Sequence, residues 1–334
     1  MKSTIKDVAR RANVSVATVS RVLNNLPGYS EDTKRTVLKA IDELGYQPNA
    51  IARGLINKRT QTIGVLFPSV SSAFSSEILH GIEQLAHDEN YSVVVCNTAE
   101  DGRRTLKYLQ VLREKQVDGI IFSSEVLKEE YYNALQAMDV PVVLVATHAE
   151  YESVPYVKVD DRKAAYEATE YLIRQGHRQL AMIGGYEGDP IAGKPRIDGF
   201  KQALLDHGIA LRDELIFDGS FQFKQACIAA ETLLTTAPEV TAVFAASDEM
   251  AIALISVAAM HGISVPEQIS VIGYDNLKLA EMSNPPLTTI AQPLHKMGQL
   301  AAEKLISMIT SRERVVSEIV PHEIIERSTV KKLV

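Results

Sequence analysis

Ser15-Val16-Ala17-Thr18-Val19-Ser20-Arg21-Val22-Leu23 reads as a short helix entered from a polar turn, and its flanks decide the fold of the first 45 residues. Upstream, Thr4 with Asp7 three residues later can cap a helix to about Arg11, and Asn13-Val14-Ser15 is a polar break whose Ser15 can cap the next helix. Downstream, Asn24-Asn25-Leu26-Pro27-Gly28 is a loop. Ser30, Glu31 and Asp32 then start a third helix, with acidic side chains where the helix dipole favours them, and Gly45 ends it. Val8, Val14, Val19, Val22, Val37, Leu38, Ile41 and Leu44 are the expected core, small enough for a detachable headpiece. Helix, short polar turn, helix is the geometry that lays a second helix in a DNA major groove while the first braces on the backbone.

Val19, Val22 and Leu23 take the inner face of that second helix, which leaves Val16, Ala17, Ser20 and Arg21 pointing outward. An exposed valine and alanine make sense against thymine methyl groups. Arg21 can donate to O6 and N7 of one guanine, a pair worth roughly 1–3 kcal/mol of discrimination. The alternative is a solvated face whose arginine pairs only with phosphate. The charge distribution favours DNA. The net charge is −7, yet residues 1–60 hold eleven Lys and Arg against five Asp and Glu, so this end is +6 and the remaining 274 residues carry −13. A small basic module on an acidic body touches phosphates with one part and repels them with the other.

From Gln61 onward, apolar runs alternate with amphipathic segments. Strands are expected at Thr62–Phe67, Ser92–Cys96, Gly119–Phe122, Val142–Val145, Val157–Val159, Leu180–Ile183, Val243–Ala246 and Ser270–Ile272. Helices are expected at Ser76–His87, Arg162–Arg174, Gly199–Asp206 and Met250–Met260, and His207-Gly208 and His261-Gly262 read as helix ends. Near-continuous apolar strands are what parallel sheets covered on both faces require, so the fold class is an all-α helix-turn-helix headpiece plus an α/β core of two doubly wound parallel-sheet lobes. The expected division is a headpiece at 1–45, a hinge at 46–60 and a core at 61–334. Lobe 1 takes about 61–160 and 291–321, and lobe 2 takes about 161–290 and 323–334, with three crossovers. No apolar run approaches the roughly 20 residues of a membrane span, and Met1-Lys2-Ser3-Thr4 is not a secretory leader, so a cytoplasmic location is expected. Cys96 and Cys227 have no metal-ligand spacing and read as reduced, buried thiols; neither a metal nor a cofactor is expected.

Four N-terminal stretches carry a resemblance: Thr4-Ile5-Lys6-Asp7-Val8-Ala9, Ala12-Asn13-Val14-Ser15, Thr18-Val19-Ser20-Arg21-Val22-Leu23-Asn24 and Leu44-Gly45-Tyr46-Gln47-Pro48-Asn49-Ala50-Ile51-Ala52-Arg53-Gly54-Leu55. The core adds Ser247-Asp248-Glu249-Met250-Ala251 and Val271-Ile272-Gly273-Tyr274-Asp275. Together they resemble the lactose/galactose repressor family over nearly the whole chain. The resemblance implies a periplasmic-binding-protein-like core, a homodimer on a pseudo-palindromic double-stranded operator, a small sugar or sugar-phosphate effector, and repression of carbohydrate-utilisation genes. It implies DNA contacts from Thr4, Ser15, Thr18, Asn24, Tyr46, Asn49 and Ala52 as well as from the outward face of the second helix. Residues 49–58 are too few for a stable helix alone. In the family that segment becomes helical on DNA, and Leu55 matches an apolar wedge that opens the central base step; the alternative for Leu55 is a core contact.

Ligands in doubly wound sheets sit outside the carboxyl ends of the strands. The loops there supply Ser69 and Phe74 after the first strand, the stretch to Arg196 after Ile183, Ser247 and Asp248 after Ala246, and Asp275 after Gly273. Hydroxyls, a ring, an arginine and carboxylates in one cleft suit a polyol. The resemblance assigns the main effector contacts to Arg196 and Asp275, walls to Phe74 and Phe221, and a further polar pair to Ser247 and Asp248. The alternatives are helix caps for Arg196 and Asp248 and a core place for Phe221. Two departures stand out. Ala146-Thr147-His148 replaces a frequent aspartate after the fourth strand. Some members use a phosphorylated carrier protein as corepressor, docking near the stretch that here reads Gln292 to Leu305, and its side chains mostly differ. G-x-S-x-G, G-x-x-x-x-G-K-[ST], G-x-G-x-x-G and H-E-x-x-H are all missing, so an enzyme is not expected.

Overall fold

The computed structural model describes residues 3–23, 26–46, 59–99, 101–149, 151, 153–311 and 314–333. The chain divides into two units, Met1–Gln61 and Thr62–Val334. Asn24, Asn49, Ala52 and Leu55 lie outside the described residues.

The first unit holds α1 (Ile5–Arg11), α2 (Val16–Leu23) and α3 (Glu31–Leu44). The caps are those the sequence dictates. The Thr4 N–H and hydroxyl both donate to Asp7, at 3.0 and 2.6 Å, and these bonds hold its carboxyl below the usual range. The Ser30 hydroxyl accepts from the Thr33 N–H, and Gly45 closes α3 at φ 55°. The sealed core is Val8, Ala9, Ala12, Val19, Val22, Val37 and Ala40. Leu38 corrects the sequence expectation: it is 48% exposed. On α3 the inward stripe runs through 37, 40, 41 and 44, and residue 38 sits about 100° round from it. Alanines fill the space instead, which lets three short helices approach closely.

The second unit starts with β1 (Thr62–Phe67), α4 (Ala73–Asp88), β2 (Ser92–Asn97), α5 (Thr105–Glu114), β3 (Gly119–Ser123), α6 (Glu129–Gln136), β4 (Val142–Val145) and β5 (Tyr156–Lys158). Next come α7 (Asp161–Arg174), β6 (Leu180–Gly184), α8 (Gly193–Asp206), β7 (Ile216–Asp218), α9 (Phe223–Thr236), β8 (Ala242–Ala245) and α10 (Asp248–Met260). The chain ends in β9 (Ser270–Asp275), α11 (Lys278–Met282), β10 (Thr288–Ala291), α12 (Leu294–Thr310), β11 (Glu318–Ile319) and β12 (Glu323–Ile325). One sheet has the order β11-β5-β4-β3-β1-β2 and is parallel throughout; the other, β12-β10-β9-β8-β6-β7, is parallel except for β12.

Both faces of the first sheet are covered, which explains its unbroken apolar runs. Ile63, Val65, Phe67, Ile121 and Val143 pack toward Ile78, Ile82, Met297 and Ala301 of α4 and α12, while Leu66, Ile120, Phe122 and Leu144 pack toward α5 and α6. The chain passes between the sheets after β5, after β10 and between β11 and β12. Four short strands, β7, β10, β11 and β12, are additions to the sequence reading. In β10 the buried Thr288 and Thr289 interrupt the apolar pattern that would have marked it. Helix α8 starts at Gly193 rather than Gly199. Pro195 is tolerated because it falls in the first turn, where N–H groups have no intrahelical acceptor.

Candidate functional site

A cavity of about 850 Å³ lies where the carboxyl ends of both sheets meet. Its wall contains the residues that follow the strands: Ser69 and Phe74 after β1, Ser124 after β3, Ala146 after β4, Phe221 after β7, Ser247 after β8, and Asp275 at the end of β9. Several are held at positive φ: Ser124 at 55°, Ala146 at 53°, Ser220 at 48°, Phe221 at 54° and Asp275 at 119°. Each such residue costs on the order of 1–3 kcal/mol and persists only where its surroundings over-determine it, a concentration typical of ligand sites.

The floor is an ionic network. Arg196, in the first turns of α8, is 5% exposed. Its Nε and Nη2 donate to Asp161 Oδ1 at 3.0 and 2.8 Å, and Nη1 donates to the Ala246 carbonyl at 2.6 Å. The guanidinium stacks on the buried Tyr274 ring, 3.7 Å from its centroid, and stands 5.6 Å from that of Phe221. Tyr274 donates its hydroxyl to the same Asp161 oxygen, and Lys158 Nζ lies 3.3 Å from Asp161 Oδ2. Asp275 takes the Gln292 amide on Oδ1 at 2.7 Å, which leaves Oδ2, among the described residues, as an acceptor for a group entering the cleft. Burial pushes the Asp275 carboxyl up to about 7, against the opposing pull of Arg196.

Of the effector residues read from the sequence, Ser69, Phe74, Arg196, Phe221, Ser247 and Asp275 line the cavity. Asp248 does not. It is fully buried behind Gly273, with Oδ2 taking the Leu277 N–H at 2.7 Å and Oδ1 the Thr289 hydroxyl, and burial raises its carboxyl to about 8. Ser247 accepts the Met250 N–H and so also caps α10. Gly185 owes its place to packing, since a methyl group there would run into the Phe221 ring. Asp161, Lys158, Gln292 and Glu125 also line the cavity and were missed by the sequence reading. Glu125 accepts the Thr98 and Thr105 hydroxyls and is raised by burial. The pair Asp160-Asp161 after an expected strand was the one available signal; Asp160 turns out to be the cap of α7, accepting the Lys163 N–H.

In the headpiece, Ser15, Val16, Ala17 and Arg21 are exposed, Thr18 and Ser20 are half-buried, and Val19 and Val22 are sealed. Val16 is 41% exposed. The Ser15 hydroxyl accepts the Thr18 N–H and caps α2, and Tyr46 packs against the headpiece core. Thr4 is exposed and engaged with Asp7.

Comparison with known proteins matches both units. Residues 4–49 match the bacterial regulatory proteins of the lacI family, and residues 60–328 match the periplasmic binding proteins and sugar binding domain of the LacI family. Catabolite control protein A of Priestia megaterium is 39% identical over 333 residues, 99% of this chain and 100% of that protein. A lac repressor dimer bound to operator and the anti-inducer ONPF superposes with TM-score 0.88 at 26% identity, covering 99% of this chain and 100% of that one. A complex of the transcriptional regulator CelR with cellobiose gives TM-score 0.75 at 31% identity, covering 98% and 100%. No helix among the described residues is long and apolar enough to cross a membrane. The chain belongs to the LacI family of DNA-binding transcriptional regulators.

Proposed function

We propose that the chain represses carbohydrate-utilisation genes by binding a pseudo-palindromic operator as a homodimer, and that a small sugar or sugar phosphate in the cleft controls that binding. The carrying observation is the cleft's composition. Asp275 offers an oxygen to a hydroxyl donor beside the rings of Phe74 and Phe221, with Ser69 and Ser247 also on the wall. Carboxylates for hydroxyls and apolar plates for a ring face are what a saccharide needs. The cellobiose bound by the CelR relative supports the same class.

The DNA contacts fall to the exposed face of α2, with Arg21 reading a base and Val16 and Ala17 meeting methyl groups. Two such helices about one helical turn apart require a dimer. Residues 46–60 link this reader to the core, and Leu55 is the wedge. Through that link, a ligand that prefers one arrangement of the core's two lobes biases DNA affinity without touching DNA.

Selection of operator DNA from a random pool by the full chain tests this reading, with and without D-glucose, D-ribose, maltose and cellobiose. A two-fold symmetric consensus whose recovery changes with one of the sugars is expected; enrichment of no sequence would refute it.

A further inference from the structure

Three consecutive residues at the end of β9 are each held by a side chain from a different part of the chain. Asp275 is held by Gln292, which follows β10. The Asn276 side-chain carbonyl accepts from Arg327 Nη2 at 2.7 Å, and the Leu277 N–H is taken by Asp248 of α10. The first two residues need holding, because φ is 119° at Asp275 and 57° at Asn276, a left-handed pair without a glycine.

Arg327 is the member from the C-terminal tail, and it is anchored on both sides of that contact. Nη1 donates to the Leu287 carbonyl at 2.8 Å, the backbone N–H donates to the Thr288 hydroxyl at 2.9 Å, and the side chain is 14% exposed. Glu281 meets Nη2 at 3.4 Å. The guanidinium therefore joins the turn after β9 to the start of β10 with a planar fork, and no flexible ammonium reproduces that geometry. Arg327 itself is not part of the cavity wall.

We propose that Arg327 is a positioning residue of the cleft: by holding Asn276 it keeps the turn in the left-handed conformation that presents Asp275 to a bound ligand. This rests on the reading of the cleft as the effector site. The tail is then a working part of that site rather than a strap across the second sheet.

Amide hydrogen exchange on the full chain tests the proposal. Arg327→Ala should accelerate exchange of the peptide containing Leu277 at least tenfold while β6 and β8 keep their protection. Asn276→Gly makes the left-handed conformation available without a clamp, so in that background Arg327→Ala should accelerate the same peptide less than threefold. Equal acceleration in both backgrounds, or none in either, overturns the proposal. Should Arg327→Ala fail to fold, Arg327→Lys decides the same comparison, since an ammonium cannot span both oxygens. Binding of D-glucose, D-ribose, maltose and cellobiose is measured alongside. A sugar that binds the native chain should bind Arg327→Ala at least tenfold more weakly and recover in the double variant. Failure of all four to bind the native chain counts against the sugar reading, while the exchange comparison still decides the clamp.

Discussion

Arg196 and Asp161 are locked together in the floor of the cleft, with Nε and Nη2 of the arginine converging on one carboxylate oxygen at 3.0 and 2.8 Å. A guanidinium has five N–H donors. The Asp161 and Ala246 bonds use three, so among the described residues two remain for a molecule in the cleft, in a position that Asp161 fixes. Lys158, on the strand that leads into the crossover, braces the other Asp161 oxygen. The cleft floor and the crossover after β5 thus share one carboxylate.

Removing that carboxylate should be costly. Asp161→Ala leaves the buried Arg196 charge unpaired, for which about 3–5 kcal/mol is the usual penalty. Thermal melting of the full chain should show the core transition shifted down by several degrees, with Asp161→Asn intermediate because it keeps an acceptor. A shift indistinguishable from that of an exposed control such as Asp213→Ala would mean that water replaces the pair.

The two buried carboxyls set a pH dependence. Asp275 is raised to about 7 and Asp248 to about 8, both mainly by burial, from an ordinary 3.8. The folded chain therefore holds protons that the unfolded chain has released. Their contribution to stability is fully present below about pH 4, falls as pH rises through the window to about 8, and levels off above it. Melting of the core at pH 6 and pH 8 should show a decline that Asp248→Asn makes shallower. Sugar affinity should move the opposite way, strengthening as Asp275 ionises and becomes a better acceptor; affinity that weakens from pH 6 to pH 8 would take Asp275 out of the contact.

Much of this was legible in the sequence, and particular residues show where legibility stopped. Capping and periodicity gave α1, α2 and α3, because Thr4, Ser30 and Gly45 act locally. Unbroken apolar runs gave eight strands of the core, because burial on both faces admits little else. Leu38 was misplaced since one position on a helix decides between core and solvent, and β10 was hidden because its buried threonines are polar residues that find partners: the Thr289 hydroxyl donates to Asp248 and the Thr288 hydroxyl accepts the Arg327 N–H, while the Thr288 N–H donates to the Thr329 hydroxyl. Asp248 reads as a site residue because the pair Ser247-Asp248 follows a strand and matches a polar pair of the resembled family, yet successive side chains at a helix start point about 100° apart, and Asp248 turns inward to the Leu277 N–H and the Thr289 hydroxyl. Asp161, Lys158 and Gln292 lie far from Arg196 and Asp275 in sequence, and only the crossovers bring them together.

On the DNA side, Arg21→Ala should flatten base preference at one half-site position and cost roughly 1–3 kcal/mol per contact, whereas Lys34→Ala should weaken all sequences alike if it meets phosphate. Binding to a library of single-base operator variants checks both. An unchanged preference profile in Arg21→Ala would reassign the reading helix.

In the proposed reading, occupancy of the cleft controls affinity for the operator. The most direct test is the operator dissociation constant of the full chain, measured with and without a sugar at a concentration that saturates the cleft, in the native chain and in Asp275→Ala. The native chain should change affinity at least tenfold, about 1.4 kcal/mol of coupling, and Asp275→Ala should lose that change at the same sugar concentration. Operator affinity that stays the same while the sugar demonstrably occupies the cleft would show that the cleft does not control DNA binding.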